Sequence, residues 1–242
     1  MELMSLHQLG VPGRLAPLDL SLESGQLLGV IGPNGAGKST LLSALAGLTH
    51  YRGELRLQGT RADLLTPRSR ARQVGYLPQQ QRSAWGLAVE DVVSLGRLPW
   101  GDQKKEAIDA ALAATGLLEL RHKRVERLSG GEQARVWLAR LLAGEARLLL
   151  ADEPLASLDL LQQRRVMQLL REQADAGRGV VLSLHDLSLA ARYCDRLCLL
   201  RQGRLLAWGT PAEVLTPDLL GEAFEVPVHV DLSSEPPIIL AR

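Results

Sequence analysis

Apolar positions along this chain fall into short runs and long stripes. "QLLGVI" (26–31) is a short apolar run ending at a glycine-rich loop. "STLLSALAGL" (39–48) has the composition of a helix, with Gly47 as its stop. "GELRLQG" (53–59) alternates apolar and polar residues, as a half-exposed strand does, and "VGYLP" (74–78) is a second strand-like run closed by Pro78. From about 80 to 145 the pattern turns helical: Ala107, Ile108, Ala111 and Leu112 lie on one stripe, and Gly116 closes it. "ARLLLADEP" (146–154) returns to a buried strand that ends in two acids. An amphipathic helix over 160–177, a buried strand over 179–186 and a helix over 187–194 follow. "RLCLLRQGRLLAWG" reads as a hairpin turning at Gln202-Gly203. The tail, with Pro227, Pro236 and Pro237, reads as peripheral.

Strands alternating with helices predict an α/β fold around a mainly parallel sheet. The helical block interrupts that alternation. The expected organisation is one domain over 1–242, with 1–79 and 146–242 forming the core and 80–145 an inserted helical subdomain. Length fits: 242 residues with 46% hydrophobic content suit one large domain. Charge narrows the function. Lys plus Arg number 28 against 27 for Asp plus Glu, and aromatics make up 3%, so both the basic excess and the stacking surface expected of a nucleic-acid binder are missing. No nucleic-acid partner is expected. Cys194 and Cys198 would share a face on a helix and read as buried thiols in a reducing compartment. "MELMSLHQLG" lacks the form of a signal peptide, and no run approaches the ~20 apolar residues that span a bilayer. Any link to a membrane is expected to run through a partner.

"GPNGAGKST", Gly32-Pro33-Asn34-Gly35-Ala36-Gly37-Lys38-Ser39-Thr40, fits G-x-x-x-x-G-K-[ST] between a strand and a helix, the context the motif requires. Its glycines let backbone N–H groups converge on phosphate oxygens, and the helix start adds about half a positive charge. Lys38 would reach the β- and γ-phosphates and Ser39 would hold Mg²⁺. The strand before "ADEP" delivers Asp152 to orient the metal and Glu153 to act as base or to order water, a role worth roughly 10²–10⁴ in rate. His185, after its own strand, is placed to bond a γ-phosphate. Gln79 says nothing as a lone glutamine.

"RLSGGEQARVWLAR" (127–140) poses a different question. Ser129 and Glu132 have the spacing of a capping box. Yet Gly130 and Gly131 stand in the first helical turn, where Gly costs about 0.8–1 kcal/mol relative to Ala. A bare, capped helix start is a second anion site, and the chain has only one nucleotide loop. The two sites are reconciled if each triphosphate lies between the loop of one copy and "LSGGEQ" of another, in a head-to-tail homodimer.

With these residues in hand, the chain resembles the ATP-binding subunits of ABC transporters. "GPNGAGKST", "YLPQ", "LSGGEQ", "LLLADE", "SLD" and "LSLHD" occur in that family's order and cover essentially the whole chain. The resemblance implies a P-loop NTPase core with an N-terminal antiparallel β subdomain, and ATP hydrolysis with Mg²⁺. It makes Gln79 a metal contact that senses the transmembrane partner, Asp159 a contact joining the two composite sites, and His185 the holder of the γ-phosphate. Ser129, Gly130, Gly131 and Gln133 would contact ATP in trans. The implied partners are a permease dimer, with segment 80–101 receiving one of its helices, and a periplasmic binding protein reached through it. The implied location is peripheral, on the cytoplasmic face of the inner membrane.

"YLPQQQ", "VVSLGRLPW", "RLAPLDLSL" and the ending "GTPAEVLTPDLL…FEVPVHV" look like importers of iron chelates, haem and cobalamin. Cobalamin is the expected cargo; a ferric-siderophore or haem importer is the alternative, and a non-transport ATPase of iron–sulfur assembly the second. One departure stands out. The family stacks adenine on an aromatic residue near the N-terminus, and here none precedes Tyr51. Val11 holds that position, so the base is expected to rest on aliphatic contact and to be read poorly.

Overall fold

The computed structural model describes residues 1–80, 86–156 and 158–241. Gln81 of "YLPQQQ", residues 81–85 of the permease-receiving segment and Ser157 of "SLD" lie outside the described residues. In chain order the elements are β1 (Glu2–Val11), β2 (Leu15–Glu23), β3 (Leu27–Ile31), α1 (Lys38–Ala46), β4 (Arg52–Leu57), β5 (Thr60–Arg61), α2 (Pro67–Gln73) and β6 (Val74–Leu77). Then come α3 (Val89–Ser94), α4 (Lys105–Ala114), α5 (Gly130–Ala143), β7 (Leu148–Ala151), α6 (Leu160–Asp175), β8 (Gly179–Ser183) and α7 (Leu187–Tyr193). The chain closes with β9 (Arg196–Arg201), β10 (Arg204–Gly209), α8 (Pro211–Val214), α9 (Pro217–Phe224), β11 (Val228–Asp231) and β12 (Ile238–Ala241).

The central sheet has the order β10-β9-β3-β8-β7-β6. All its pairings are parallel except β9 with β10. Its strands read as unbroken apolar runs because both faces are covered. Leu27 and Ile31 of β3, Val180 and Leu182 of β8, and Leu149 of β7 face one apolar layer. The alternate residues Leu28, Val30, Val181, Leu148 and Leu150 face the other. The first layer is filled by α5, α6 and the helices between β6 and β7, including the predicted stripe Ala107, Ile108, Ala111 and Leu112, all buried. The second is filled by α1 and an antiparallel sheet of order β2-β1-β4-β5. This is the α/β P-loop architecture, with antiparallel strands packed on the parallel core.

Turn chemistry follows the sequence. Gln202 (φ 48°) and Gly203 (φ 73°) take left-handed backbone between β9 and β10, the geometry a two-residue hairpin requires. Two details differ from expectation. Cys194 caps the end of α7 while Cys198 sits within β9, so the thiols do not share a helix face. Both are buried, and burial pushes both thiols up, Cys198 to about 12. The tail folds into the antiparallel pair β11–β12, and Val228, Val230, Leu232 and Ile239 pack against the core.

Candidate active site

Four strands of the central sheet end at one place. β3 runs into the glycine loop, β6 leads to Gln79, β7 to Asp152 and Glu153, and β8 to His185. Parallel neighbours present their C-terminal ends together, which is where such sheets bind ligands. The loop is shaped by its glycines. Gly32 has φ 140°, and a Cβ there would lie 2.1 Å from the Leu200 carbonyl oxygen. Gly37 has φ 105° and stands as the cap of α1 with no side-chain hydrogen bond. The first amides of α1 therefore lack both an intrahelical and a side-chain acceptor, and an anion suits them.

Lys38, at the start of α1, is 5% exposed. Its Nζ donates to Gly32 O at 2.8 Å and Pro33 O at 3.1 Å. An ammonium has three donors, so one remains for a phosphate. Burial holds the Lys38 pKa below its ordinary value; Glu153 and Asp152 oppose that shift. Ser39 and Asn34 are exposed at the mouth of the loop, with Gly35 beside them. Thr40 is half-buried, and Ala36 is buried against the core.

The two acids are fixed by a residue the sequence pattern did not single out. Ser183, at the end of β8, is fully buried; its hydroxyl donates to Asp152 Oδ1 at 2.7 Å and accepts from the Glu153 amide at 2.7 Å. A buried polar side chain needs partners. A serine closing the otherwise apolar run "GVVLS" was the available signal. Glu153 itself has φ 49°, a left-handed conformation that costs about 1–3 kcal/mol in a non-glycine residue. Its carboxylate accepts from Gln79 Nε2 at 2.6 Å and lies 2.8 Å from His185 Nε2. Gln79, Glu153 and His185 thus converge beside the loop, around a cleft of about 850 Å³ that they line together with Asn34–Thr40.

The remaining predicted residues stand apart from this cleft. Ser129 caps α5: its Oγ accepts from the Glu132 amide, and Glu132 Oε2 accepts from both the amide and the hydroxyl of Ser129. Gly130 and Gly131 open that helix with ordinary φ; a Cβ at Gly130 would meet nothing within 4 Å. Gln133 Nε2 donates inward to Leu128 O at 3.0 Å, bracing the turn. Asp159 caps α6 through the Gln162 amide, followed by exposed Leu160 and Leu161. Val11 is 4% exposed and lines the pocket between the turn joining β1 to β2 and the turn joining β9 to β10, so aliphatic contact with a base there stays a proposal.

A metal would find Ser39 and Asp152 beside the loop. Among the described residues no three His, Cys, Asp or Glu cluster as a metal site. A hydroxyl and one carboxylate suit Mg²⁺, which takes few protein ligands and completes its octahedron with phosphates and water.

Comparison with known proteins now bears on this geometry. The family model for ABC transporters matches residues 15–156. The chain is 46% identical over 239 residues to the "Hemin import ATP-binding protein HmuV" of Pseudomonas entomophila, with 94% of each chain covered. It belongs to the ABC transporter family, as an ATP-binding subunit. An ABC ATP-binding subunit from Halobacterium salinarum, "Cobalamin import ATP-binding protein BtuD", is 43% identical over 217 residues, covering 87% of this chain and 54% of that protein. Among solved structures, a metal-chelate type ABC transporter in an inward-facing conformation superposes with a TM-score of 0.84 at 26% identity, covering 99% of this chain and 96% of that one. Among the described residues of this ABC ATPase, no helix is long and apolar enough to cross a membrane.

Proposed function

We propose that this chain hydrolyses ATP as the paired, peripheral subunit of an ABC importer, and that haem is the cargo of the permease it drives. The observation that carries the catalytic reading is the convergence of Gln79, Glu153 and His185 on the mouth of the glycine loop. The division into a core (1–79 and 146–242) and a helical subdomain (80–145) belongs to the same proposal, as do the partners: a second copy, a permease dimer and a periplasmic binding protein.

The chemistry follows from the residues. Backbone amides of Gly35 to Thr40 and the Lys38 ammonium hold the phosphates. Ser39 and Asp152 would hold Mg²⁺, whose charge offsets that developing on the phosphates. Gln79 lies within reach of the same place. Glu153 orients a water toward the γ-phosphorus and takes its proton as the bond to the β,γ-bridging oxygen breaks. His185, tied to Glu153, bonds a γ-phosphate oxygen. Asp152 keeps its place through Ser183, which also fixes the Glu153 backbone. ADP and phosphate leave.

The far side of the triphosphate is assigned to the second copy, with Ser129, Gly130, Gly131 and Gln133 acting in trans and Asp159 joining the two sites. The exposure of Gly130, and of Leu160 and Leu161 beside Asp159, supports a partner there. Docking to the permease on the cytoplasmic side follows from the same reading.

The cargo assignment changes with the comparisons. Cobalamin was the expected cargo. Six relatives at 43–46% identity carry hemin import in their names, with 88–94% of this chain aligned. The cobalamin-import relatives align to 54% of their own length. Haem therefore leads and cobalamin is the second reading. Reconstitution with the permease and binding protein in proteoliposomes decides between them. Haem-loaded binding protein is expected to stimulate ATP hydrolysis and haem to accumulate inside. Stimulation by cobalamin alone favours the second reading. A subunit that stays soluble and joins no permease overturns the importer assignment.

A further inference from the structure

Ser183 is the one polar side chain of β8, which otherwise reads Gly-Val-Val-Leu, and it is fully buried. An aliphatic residue would continue that strand into the core. A hydroxyl there is unfavourable unless its donor and its acceptor are both used. The backbone around it is clamped from two sides. Val30 of β3 pairs with Ser183, and Ala151 of β7 pairs with Leu182. One step further along β7 and β8, Asp152 comes beside Ser183.

The sense of the two hydrogen bonds is forced. The Glu153 amide can only donate, so Ser183 Oγ accepts from it at 2.7 Å. The single hydroxyl proton then goes to Asp152 Oδ1, also at 2.7 Å. Asp152 is 3% exposed, and among the described residues no other group donates a hydrogen bond to its carboxylate. Oδ1 is committed to Ser183, which leaves Oδ2 as the oxygen for a metal. The same hydroxyl holds the amide of a residue in left-handed backbone, Glu153 at φ 49°. Such a conformation persists only where its surroundings impose it. Gln79 and His185 hold the Glu153 carboxylate; Ser183 holds its main chain.

We infer that Ser183 is a positioning residue for hydrolysis, one hydroxyl that keeps the metal-side acid and the base in register. This rests on the ATPase reading above and adds a dependence between the two acids: a displacement of Asp152 passes through Oγ to the Glu153 amide. Being fully buried, Ser183 reaches no substrate itself. An apolar side chain in its place leaves a buried amide without an acceptor and a buried carboxylate without a donor, and so frees both groups at once. Partners that orient metal-binding carboxylates are worth roughly 10- to 100-fold in metal affinity or activity.

Ser183→Ala, Ser183→Thr and Ser183→Val in the full-length chain test this. Threonine and valine have one shape, so their comparison separates the hydroxyl from packing. At saturating ATP and Mg²⁺, single-turnover phosphate release is expected to fall roughly 10- to 100-fold in Ser183→Ala, and to be faster by a similar factor in Ser183→Thr than in Ser183→Val. Calorimetric titration with ATP in the presence of a chelator is expected to match the wild type. With Mg²⁺ present, the variants without the hydroxyl bind ATP about tenfold more weakly. In a Glu153→Gln background, Ser183→Ala is expected to slow release at saturation by less than about twofold, because the base it aims is gone. Equal turnover in the threonine and valine variants, or ATP binding weakened equally with and without Mg²⁺, shows a packing role and overturns the proposal. So does the same loss from Ser183→Ala whether or not Glu153 is present. A wild type that binds and hydrolyses ATP confines that failure to Ser183; a wild type that does neither removes the ATPase reading with it.

Discussion

At Gly130 and Gly131 the side chain is missing for no reason internal to the chain. Neither residue has positive φ, and a Cβ at Gly130 enters open space. Gly32 is the contrast, since its Cβ would strike a backbone carbonyl. Gly130→Ala should therefore raise the stability of the isolated chain by about 0.5–1 kcal/mol, as alanine does in a helix, while lowering turnover by about 10²-fold, because a methyl group displaces the partner's phosphate. Urea denaturation and steady-state phosphate release measure the two effects. A more stable variant with wild-type turnover would place no phosphate against α5. At this scale the glycines of the phosphate loop and the two acids after β7 were readable from spacing, since a phosphate loop dictates which residues carry no side chain, whereas Gln79 was singled out only by the family resemblance. Ser183 was not readable, because its role depends on two acids brought beside it from another strand.

Among the elements, legibility followed the regularity of burial. The stripe of α4 and the apolar runs of β3, β7 and β8 were plain because each keeps one period. β1 was not recognised from its pattern: register shifts between Glu2 and Met4 and between Leu6 and Leu9 break the alternation. Nor was α2, which buries none of its residues and has no stripe to show. Charge holds elements together where apolar pattern is silent. Arg97, 2% exposed, donates to Asp102, Glu145 and the Ala143 carbonyl, pinning the segment after α3 to the end of α5. Arg97→Met should cost about 2 kcal/mol, less than the roughly 3–5 kcal/mol of breaking a fully buried pair, because both carboxylates keep contact with solvent. The Arg97 guanidinium also holds the Asp102 carboxyl at about 2, below its ordinary value of 3.8. A depressed acid stabilises the fold above its unfolded pKa and loses that contribution as pH falls through the folded one. Wild-type stability should thus drop between about pH 4 and pH 2, and the drop should be shallower in Arg97→Met. Denaturation midpoints across that range check it; parallel pH curves would show that Arg97 does not set the Asp102 carboxyl.

On the proposed reading the molecule is half of a machine, its cleft holding a triphosphate from one side. The glycine loop, Gln79, Glu153 and His185 line that cleft, and Ser129 and Gly131 do not. A chain that hydrolyses ATP alone has no use for a second capped, bare helix start. One that closes on a twin has, since the helix start gains its ligand only on closure. The state before hydrolysis can be held by removing the base without removing its shape. Glu153→Gln keeps the side-chain volume and can still bond Gln79 and His185, but it cannot accept a proton. Turnover should fall by roughly 10²–10⁴ with ATP binding retained. The unhydrolysed γ-phosphate then stays bridged between two copies. Light scattering should report twice the single-chain mass in saturating ATP and Mg²⁺, reverting to the single-chain mass when ATP is removed. Wild-type protein should show the doubled mass only briefly, because hydrolysis withdraws the bridging phosphate. A Glu153→Gln chain that binds ATP and stays single at any concentration would mean that the exposed start of α5 meets no phosphate, and pairing would have to be driven by the permease alone.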